Sequence, residues 1–99
     1  MIVKKDGRRE EFSQVKLRQK LRVALTKRPV SEDQIDTLIA RVEGELTALN
    51  LKEVPSVTIG ETVLRELKGL DQVAYIRFAS VYRQFADIED LRREVDTLA

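Results

Sequence analysis

The chain has 99 residues, 42% of them hydrophobic, and a formal net charge of +1, as expected of one compact domain rather than two. It contains no cysteine and no histidine, which excludes disulfides, zinc sites of the usual kind and histidine acid–base catalysis. No stretch reaches the roughly 20 apolar residues of a membrane-spanning helix, and no secretory signal is visible, so we expect a cytoplasmic protein.

The small net charge conceals an uneven distribution along the chain. Residues 1–28 carry ten Lys or Arg against three acidic residues, a net of +7, whereas residues 29–99 carry eight against fourteen, a net of −6. This asymmetry indicates an anionic partner at the N-terminal end. The alternative is that the basic segment 1–28 and the acidic segment 29–99 neutralise each other within the fold, which would give the same distribution of charge.

The first predicted element is a β-hairpin. The dipeptide Asp6-Gly7 is typical of a two-residue type I′ turn, and it pairs residues 1–5 with residues 8–12. In that register a set of apolar side chains shares the face toward the core: Met1, Val3 and Phe12.

The same register stacks positive charges at the tip of the hairpin. Lys5 lies opposite Arg8, and Lys4 lies opposite Arg9. Like charges directly opposite each other destabilise a strand pair. The pattern therefore indicates an anion at the tip, unless these long side chains simply splay into water.

Two helices are predicted next, over residues 14–27 and 32–49, from apolar residues at helical spacing. Ser13 is the expected N-cap of the first helix. Ser31 and Gln34 form a capping box for the second. The extended residues 53–57 that follow predict a short third strand, which Pro55 confines to an edge of the sheet.

Two more helices are predicted over residues 59–69 and 72–85, with Thr58 and Asp71 as their N-caps. The second of these is apolar around most of its circumference, so we expect it to be the central and most buried helix. The tail, residues 87–98, is amphipathic along a narrow stripe that predicts a helix docking on the domain or on a second copy: Ile88, Leu91, Val95 and Leu98.

A phosphate site is the main functional hypothesis from the residues. The chain has no GxxxxGK[ST] loop and no GxGxxG fingerprint. Lys16 lies one turn inside the first helix and leans toward the hairpin, so Lys4, Lys5 and Lys16 converge with the helix N-terminus on a polyphosphate. No carboxylates show the spacing of a metal or catalytic site, so we expect no enzyme.

These residues resemble the opening of the ATP-cone family. The run Ile2-Val3-Lys4-Lys5-Asp6-Gly7, followed by Glu10, Phe12 and Lys16, is similar to the family's lysine-rich hairpin and first helix. Four further stretches look like the NrdR-type repressors of ribonucleotide reductase genes: 27–31, 53–56, 71–85 and 85–91.

The resemblance implies an ATP or dATP effector, with or without Mg²⁺, and no zinc. It implies phosphate binding by Lys4, Lys5 and Lys16. It assigns base or sugar contacts to Val3 and Glu10, and it implies further nucleotide contacts from Ser56, Tyr75 and Arg77. Core packing with a satisfied hydroxyl is the alternative for Tyr75 and Tyr82. Lys5 stands where arginine is usual, which bears on affinity or on the choice between ATP and dATP.

The resemblance also implies a fold and a function. We expect an α+β fold in which a small antiparallel sheet, a hairpin plus an edge strand, lies as a lid on a bundle of about four helices with a C-terminal helical extension. Residues 1–99 form one regulatory domain that senses adenine nucleotides and changes its oligomeric state as a homo-oligomer. Its partner is a DNA-binding protein or a reductase, not a membrane.

Three further points stay open at this level. The NrdR-type repressors carry a four-cysteine zinc ribbon that binds DNA, so a chain without cysteine is either a free-standing ATP-cone or the regulatory part of a longer repressor. One alternative function is a nucleic-acid-binding module acting through the basic hairpin. The other is an interaction domain that associates through its tail regardless of nucleotide.

Overall fold

The computed structural model describes residues 1–4 and 6–98. It has the α+β architecture predicted from the sequence. The elements in chain order are β1 (Ile2–Val3), β2 (Arg9–Glu10), α1 (Gln14–Ala24), α2 (Glu32–Ala48), β3 (Val54–Pro55), α3 (Ser56–Leu70), α4 (Gln72–Tyr82) and α5 (Ile88–Asp96).

The strands form one small mixed sheet in the order β2-β1-β3. β1 is antiparallel to β2, as expected, but parallel to β3, with Ile2 beside Val54 and Val3 beside Pro55. The expectation of a purely antiparallel sheet is therefore wrong in its third strand. Two helices separate β1 and β2 from β3, and a crossover of that length lets a strand return in the same direction. Pro55 lies on an edge strand, as predicted.

The hairpin is offset by one residue from its predicted register. Ile2 pairs with Glu10 and Val3 with Arg9. The Lys4 amide donates to the Arg8 carbonyl at 2.7 Å, so Lys4 and Arg8 face each other across the hairpin, which does not fit the register of the predicted two-residue turn. Gly7 has φ +87°, a left-handed conformation that glycine adopts without strain. Lys4 consequently lies opposite Arg8 and not Arg9, and the predicted pairing of Lys5 lies outside the described residues.

The offset changes which side chains face the helices. Only Phe12 of the predicted core-facing set packs against the buried core, and Met1 is 55% exposed. Ile2 and Lys4 face inward instead of Met1 and Val3, because alternate residues of a strand point to opposite faces.

The helix N-termini follow the predicted caps with one exception. Ser31 and Gln34 form the capping box, with backbone-to-side-chain bonds of 3.1 and 2.8 Å. The Ser13 hydroxyl accepts from the Lys16 amide, and Asp71 caps α4. Thr58 is not the cap of α3, which begins earlier, at Ser56, directly after β3.

The core lies between α1, α2 and α3, with α4 packed on α1 and α3. Its largest fully buried side chains are Leu21, Val42, Val63, Leu64 and Leu67. The prediction that α4 is the most buried helix is wrong. Its buried residues are Ala74, Tyr75 and Ala79, whereas Val81 is 80% exposed. Val73 and Val81 stay exposed although α1, α3 and α5 all contact α4, so apolar residues around a whole circumference did not predict burial.

The tail forms α5, which packs on α4. Its predicted apolar stripe is divided: Leu98 packs against the core, whereas Ile88 and Val95 are exposed. The residue of α5 that is buried is Glu94. None of the helices in the described part of the chain is long and apolar enough to cross a membrane.

Candidate functional site

A cavity of about 540 Å³ lies between the hairpin, the N-terminal half of α1, the first turns of α3 and the C-terminal end of α4. Ligand sites of small molecules typically have volumes of this order. The inward face of the hairpin forms one wall, so the one-residue offset in register decides which of its side chains reach the cavity.

Part of the cavity lining is charged. Its basic side chains are Lys4, Arg8, Lys16 and Lys20, and its acidic ones are Asp6, Glu10 and Glu11. Arg8 pairs with Asp6 at 2.7 Å. Lys20 forms no ion pair within residues 1–4 and 6–98, so it can serve an external anion. Lysine and arginine side chains gathered in one concave site favour a multiply charged anion.

Glu10 joins two of these lysines. Its Oε1 lies 2.6 Å from Lys16 Nζ, and its Oε2 lies 3.7 Å from Lys4 Nζ. The hydrogen bond from Lys16, with the positive charges of both lysines, holds the pKa of the Glu10 carboxyl below its usual range. The carboxylate is therefore ionised at neutral pH, and each of its oxygens faces a different cation.

Helix N-termini add positive potential to the same cavity. Ser13, the cap of α1, and Ser56, the first residue of α3, both line it. Within the described residues, α3 has no side-chain cap at Pro55. The first amides of a helix need an acceptor and carry the positive end of its dipole, so phosphate oxygens are suitable partners here.

The cavity lining also includes a set of apolar and aromatic side chains: Ile2, Phe12, Ile59, Phe78 and Tyr82. The Phe78 and Tyr82 rings are stacked, with centroids 6.2 Å apart and planes at 23°. The Tyr82 hydroxyl donates to the Val57 carbonyl at 3.0 Å, which fixes the ring against α3. Aromatic rings of this kind bind planar bases through their faces. The cavity lining thus combines charged side chains with aromatic side chains suited to a flat ring.

The structure brings together Lys4, Glu10, Lys16 and Ser56 of the predicted site residues. Val3 does not line the cavity, because it alternates with Ile2 and Lys4 along β1. Lys5 lies outside the described residues.

Tyr75 and Arg77 do not reach the cavity either. Tyr75 is buried and donates its hydroxyl to Glu94 at 3.0 Å; burial first, and then this carboxylate, raise the pKa of the tyrosine. Arg77 donates to the carbonyls of Ala24 and Thr26, at 3.2 and 2.7 Å, and so caps the end of α1. Both side chains join elements of the fold, which is the alternative considered for Tyr75.

Several cavity residues were missed from the sequence: Lys20, Phe78, Tyr82 and Gln84. Lys20 follows Lys16 by four residues, and Tyr82 follows Phe78 by the same spacing, which places each pair on one helix face. The four-residue spacing predicts such cavity residues once it is known which face of each helix lies toward the hairpin.

Comparison with known proteins gives the family. The model of the ATP cone domain matches residues 1–88. The chain belongs to the ATP-cone family. Because 88 of its residues lie in the match, the hairpin, the cavity and helices α1 to α4 are all parts of the ATP-cone itself.

Curated relatives extend the comparison. The chain is 67% identical over 98 residues to the Transcriptional repressor NrdR of Thermomicrobium roseum, covering 99% of this chain and 61% of the relative. It is 56% identical over 95 residues to that of a Polaromonas species, covering 96% and 64%, and 55% identical over 98 residues to that of Herpetosiphon aurantiacus, covering 99% and 65%.

The chain therefore spans somewhat under two thirds of the length of these curated relatives. Their names are those of regulators and not of enzymes, in agreement with the expectation of no catalytic activity. Within the described residues no group of three or more carboxylates could hold a metal ion.

Proposed function

We propose that this ATP-cone is the regulatory part of a transcriptional repressor of ribonucleotide reductase genes, and that it binds ATP or dATP as an effector without turning it over. The observation that carries the proposal is that one cavity is lined both by several lysines and by a stacked pair of aromatic rings. A nucleoside triphosphate needs both kinds of contact, because it has a polyanion at one end and a flat base at the other.

The polyphosphate is placed on the hairpin side. Lys4, Lys16 and Lys20 line the cavity, and so do Ser13 and Ser56 at the N-termini of α1 and α3. Because lysine ammonium groups are flexible point charges, they follow the phosphates without the fixed geometry of a P-loop. Mg²⁺, where present, travels with the phosphates instead of occupying a protein cage.

The adenine is placed against Phe78 and Tyr82, under Ile2 and Phe12. Stacking and apolar contact favour any purine, so the preference for adenine rests on polar groups at the rim. Gln84 is a suitable one, because an amide side chain offers the donor and acceptor that the adenine edge requires.

The output of binding is a change in self-association, as in a homo-oligomer gated by its effector. Exposed apolar side chains on α4 and α5 support this part of the proposal: Val73, Val81, Ile88 and Val95. A regulator of transcription acts where DNA and its nucleotide pool are, so the cytoplasm is the proposed location. The whole of residues 1–99 is proposed to act as one unit with a DNA-binding or reductase partner.

Direct binding of nucleic acid by the hairpin is less favoured by the contacts. Arg9 pairs with Glu53 at 2.5 Å and Arg8 with Asp6 at 2.7 Å, so two of the cations required are already neutralised. Duplex DNA is included in the test below, at two salt concentrations, because phosphate contacts weaken steeply with salt.

The test is a calorimetric titration of the chain with ATP, dATP and GTP, and with duplex DNA at a low and a high salt concentration, with size-exclusion chromatography of the same samples. We expect adenine-selective binding, a change in elution on binding and no release of phosphate. The double variant Lys4→Ala/Lys16→Ala should bind at least about tenfold more weakly. Lys52→Ala/Lys68→Ala, at two positions outside the cavity lining, is the control with the same loss of two charges. Intact binding in the double variant, or none in the parent chain, would overturn the proposal.

A further inference from the structure

We propose that Glu10 is a built-in competitor of the effector: its carboxylate engages the same two ammonium groups that a polyphosphate needs, so that binding is an exchange of one anion for another. The inference rests on the proposed function and concerns the regulation of the same site.

The first argument is geometric. Glu10 uses both of its oxygens, one on Lys16 at 2.6 Å and one on Lys4 at 3.7 Å. These lysines belong to different elements, the hairpin and α1, and both line the cavity. The carboxylate therefore lies where the two cations converge, which is the position that a bridging phosphate would take.

The second argument concerns which partner moves. Glu10 is held in the β1–β2 ladder opposite Ile2, and its side chain is 34% exposed, whereas the side chain of Lys16 is 64% exposed. The backbone thus fixes the carboxylate near the cations, and the longer, more exposed lysine turns toward it. A phosphate that draws Lys16 away must first displace the Glu10 interaction.

The third argument is one of charge. Glu10 contributes one negative charge at a point where a triphosphate brings three or four, so the ligand prevails once its concentration is high enough. The competitor sets that threshold. An effector that is abundant in the cell can act as a signal only if its affinity for the site is low. A site of high affinity would be saturated at every concentration of the effector that the cell reaches.

Displacement also has a structural consequence. The Lys16–Glu10 pair joins β2 to the first turn of α1. Occupation of the site would open this link and leave the hairpin held to α1 through the ligand instead. The pose of the hairpin then reports whether phosphate is present.

The test uses Glu10→Gln, with Glu11→Gln as a matched control. Glu11 lines the same cavity and carries the same charge, but it forms no ion pair within the described part of the chain. Each variant is titrated with inorganic tripolyphosphate and with ATP at fixed ionic strength, after thermal melting has shown that it folds. We expect Glu10→Gln to bind tripolyphosphate about three- to tenfold more tightly, and Glu11→Gln to gain less than about twofold.

Tripolyphosphate separates this inference from the role that the family resemblance assigns to Glu10. If Glu10 mainly holds the base or ribose, Glu10→Gln weakens ATP and leaves tripolyphosphate unchanged, and the inference is wrong while the proposed function stands. An equal gain in affinity for tripolyphosphate in Glu10→Gln and Glu11→Gln would show that only the loss of one negative charge matters, and this outcome would also overturn the inference. Failure of the parent chain and both variants to bind either ligand overturns the inference and the proposed function together.

Discussion

The ring of Tyr82 occupies the space in which a side chain at Gly60 would lie. A Cβ built on Gly60 would overlap the ring atoms Cε1 and Cζ and would come within 2.7 Å of the hydroxyl oxygen. The same hydroxyl donates to the Val57 carbonyl in the first turn of α3. The aromatic wall of the cavity is therefore positioned by the absence of a side chain one turn further along α3.

Replacement of Gly60 by alanine should displace the Tyr82 ring and break its bond to Val57. We expect a loss of about 1–3 kcal/mol in the free energy of unfolding, as for other overpacked sites, together with weaker ATP binding. Gly44→Ala is the matched control, since nothing lies within 4 Å of a Cβ there. That variant should gain up to about 1 kcal/mol from helix propensity. Denaturant unfolding of both variants measures the difference, and equal effects would contradict the assignment.

The second prediction concerns the buried carboxylate of Glu94, which is only 5% exposed. It accepts from Tyr75 and from Arg83, and Arg83 also reaches Glu61 at 3.0 Å. Arg83→Met leaves the carboxylate buried without its cation. Because Arg83 is itself partly exposed and Tyr75 remains, we expect a cost of about 1–3 kcal/mol, below that of a fully buried pair.

The control for this change is Arg92→Met, which removes an exposed pair with Glu89 on the same helix. It should change the free energy of unfolding by less than about 0.5 kcal/mol. Hydrogen exchange of the α5 amides provides a second measurement. Faster exchange in Arg83→Met, but not in Arg92→Met, is expected if this network docks α5; unchanged exchange in both would refute it.

The third prediction is a dependence of stability on pH through Asp71. Burial alone would raise the pKa of this carboxyl, but the Ala74 amide and the Arg28 guanidinium together hold it below its usual range. A carboxyl with a lowered pKa in the folded state stabilises that state above the unfolded value. The contribution is lost as pH falls from about 5 through that value, near 4, toward the folded one.

Asp71→Asn keeps a side-chain oxygen for the N-cap but removes the charge that pairs with Arg28. The variant should be less stable than the parent chain at pH 7. Thermal melts at several pH values should show the difference shrinking as the parent loses stability in acid. A difference that is constant from pH 7 to pH 3 would show that ionisation of Asp71 contributes nothing.

The fourth prediction concerns Lys20, which the cavity places beside Lys16. Lys20→Ala should weaken ATP binding by about three- to tenfold, since it removes from the cavity an ammonium group that forms no ion pair within the described residues. Adenosine, which has no phosphates, should bind the variant and the parent chain equally. Unequal binding of adenosine would show that the side chain shapes the apolar part of the lining instead.

Local signals accounted for the parts of the fold that were predicted correctly. The Ser31–Gln34 capping box and the Asp71 cap depend on residues three positions apart, so the sequence alone determines them. The hairpin was found but misregistered, because Asp6-Gly7 fits hairpin loops of more than one length. Its true register also depends on the pairing of β1 with β3, which lies some 50 residues away in the chain.

Tertiary contacts determine which of the predicted site residues line the cavity and which lie outside it. Tyr75 and Arg77 lie on α4 with Phe78 and Tyr82, and composition does not distinguish which face meets the hairpin. Ala74 and Ala79 turn toward the buried core, and that orientation carries Tyr75 to Glu94 and Arg77 to the end of α1. Lys4 and Lys16 lie together in the cavity because the hairpin and the first helix are adjacent in the chain, and their role in phosphate binding stays a prediction.

Strand β3 and helix α3 are joined directly, with no residue between them. Val54–Pro55 is tied to the central strand β1, and α3 continues rigidly from the next residue, Ser56. The small sheet is therefore connected through β3, without a loop, to a helix of fifteen residues. The same helix carries the chain from the cavity wall at Ser56 to Leu70, so the sheet, the cavity and the end of α3 belong to one continuous stretch of backbone.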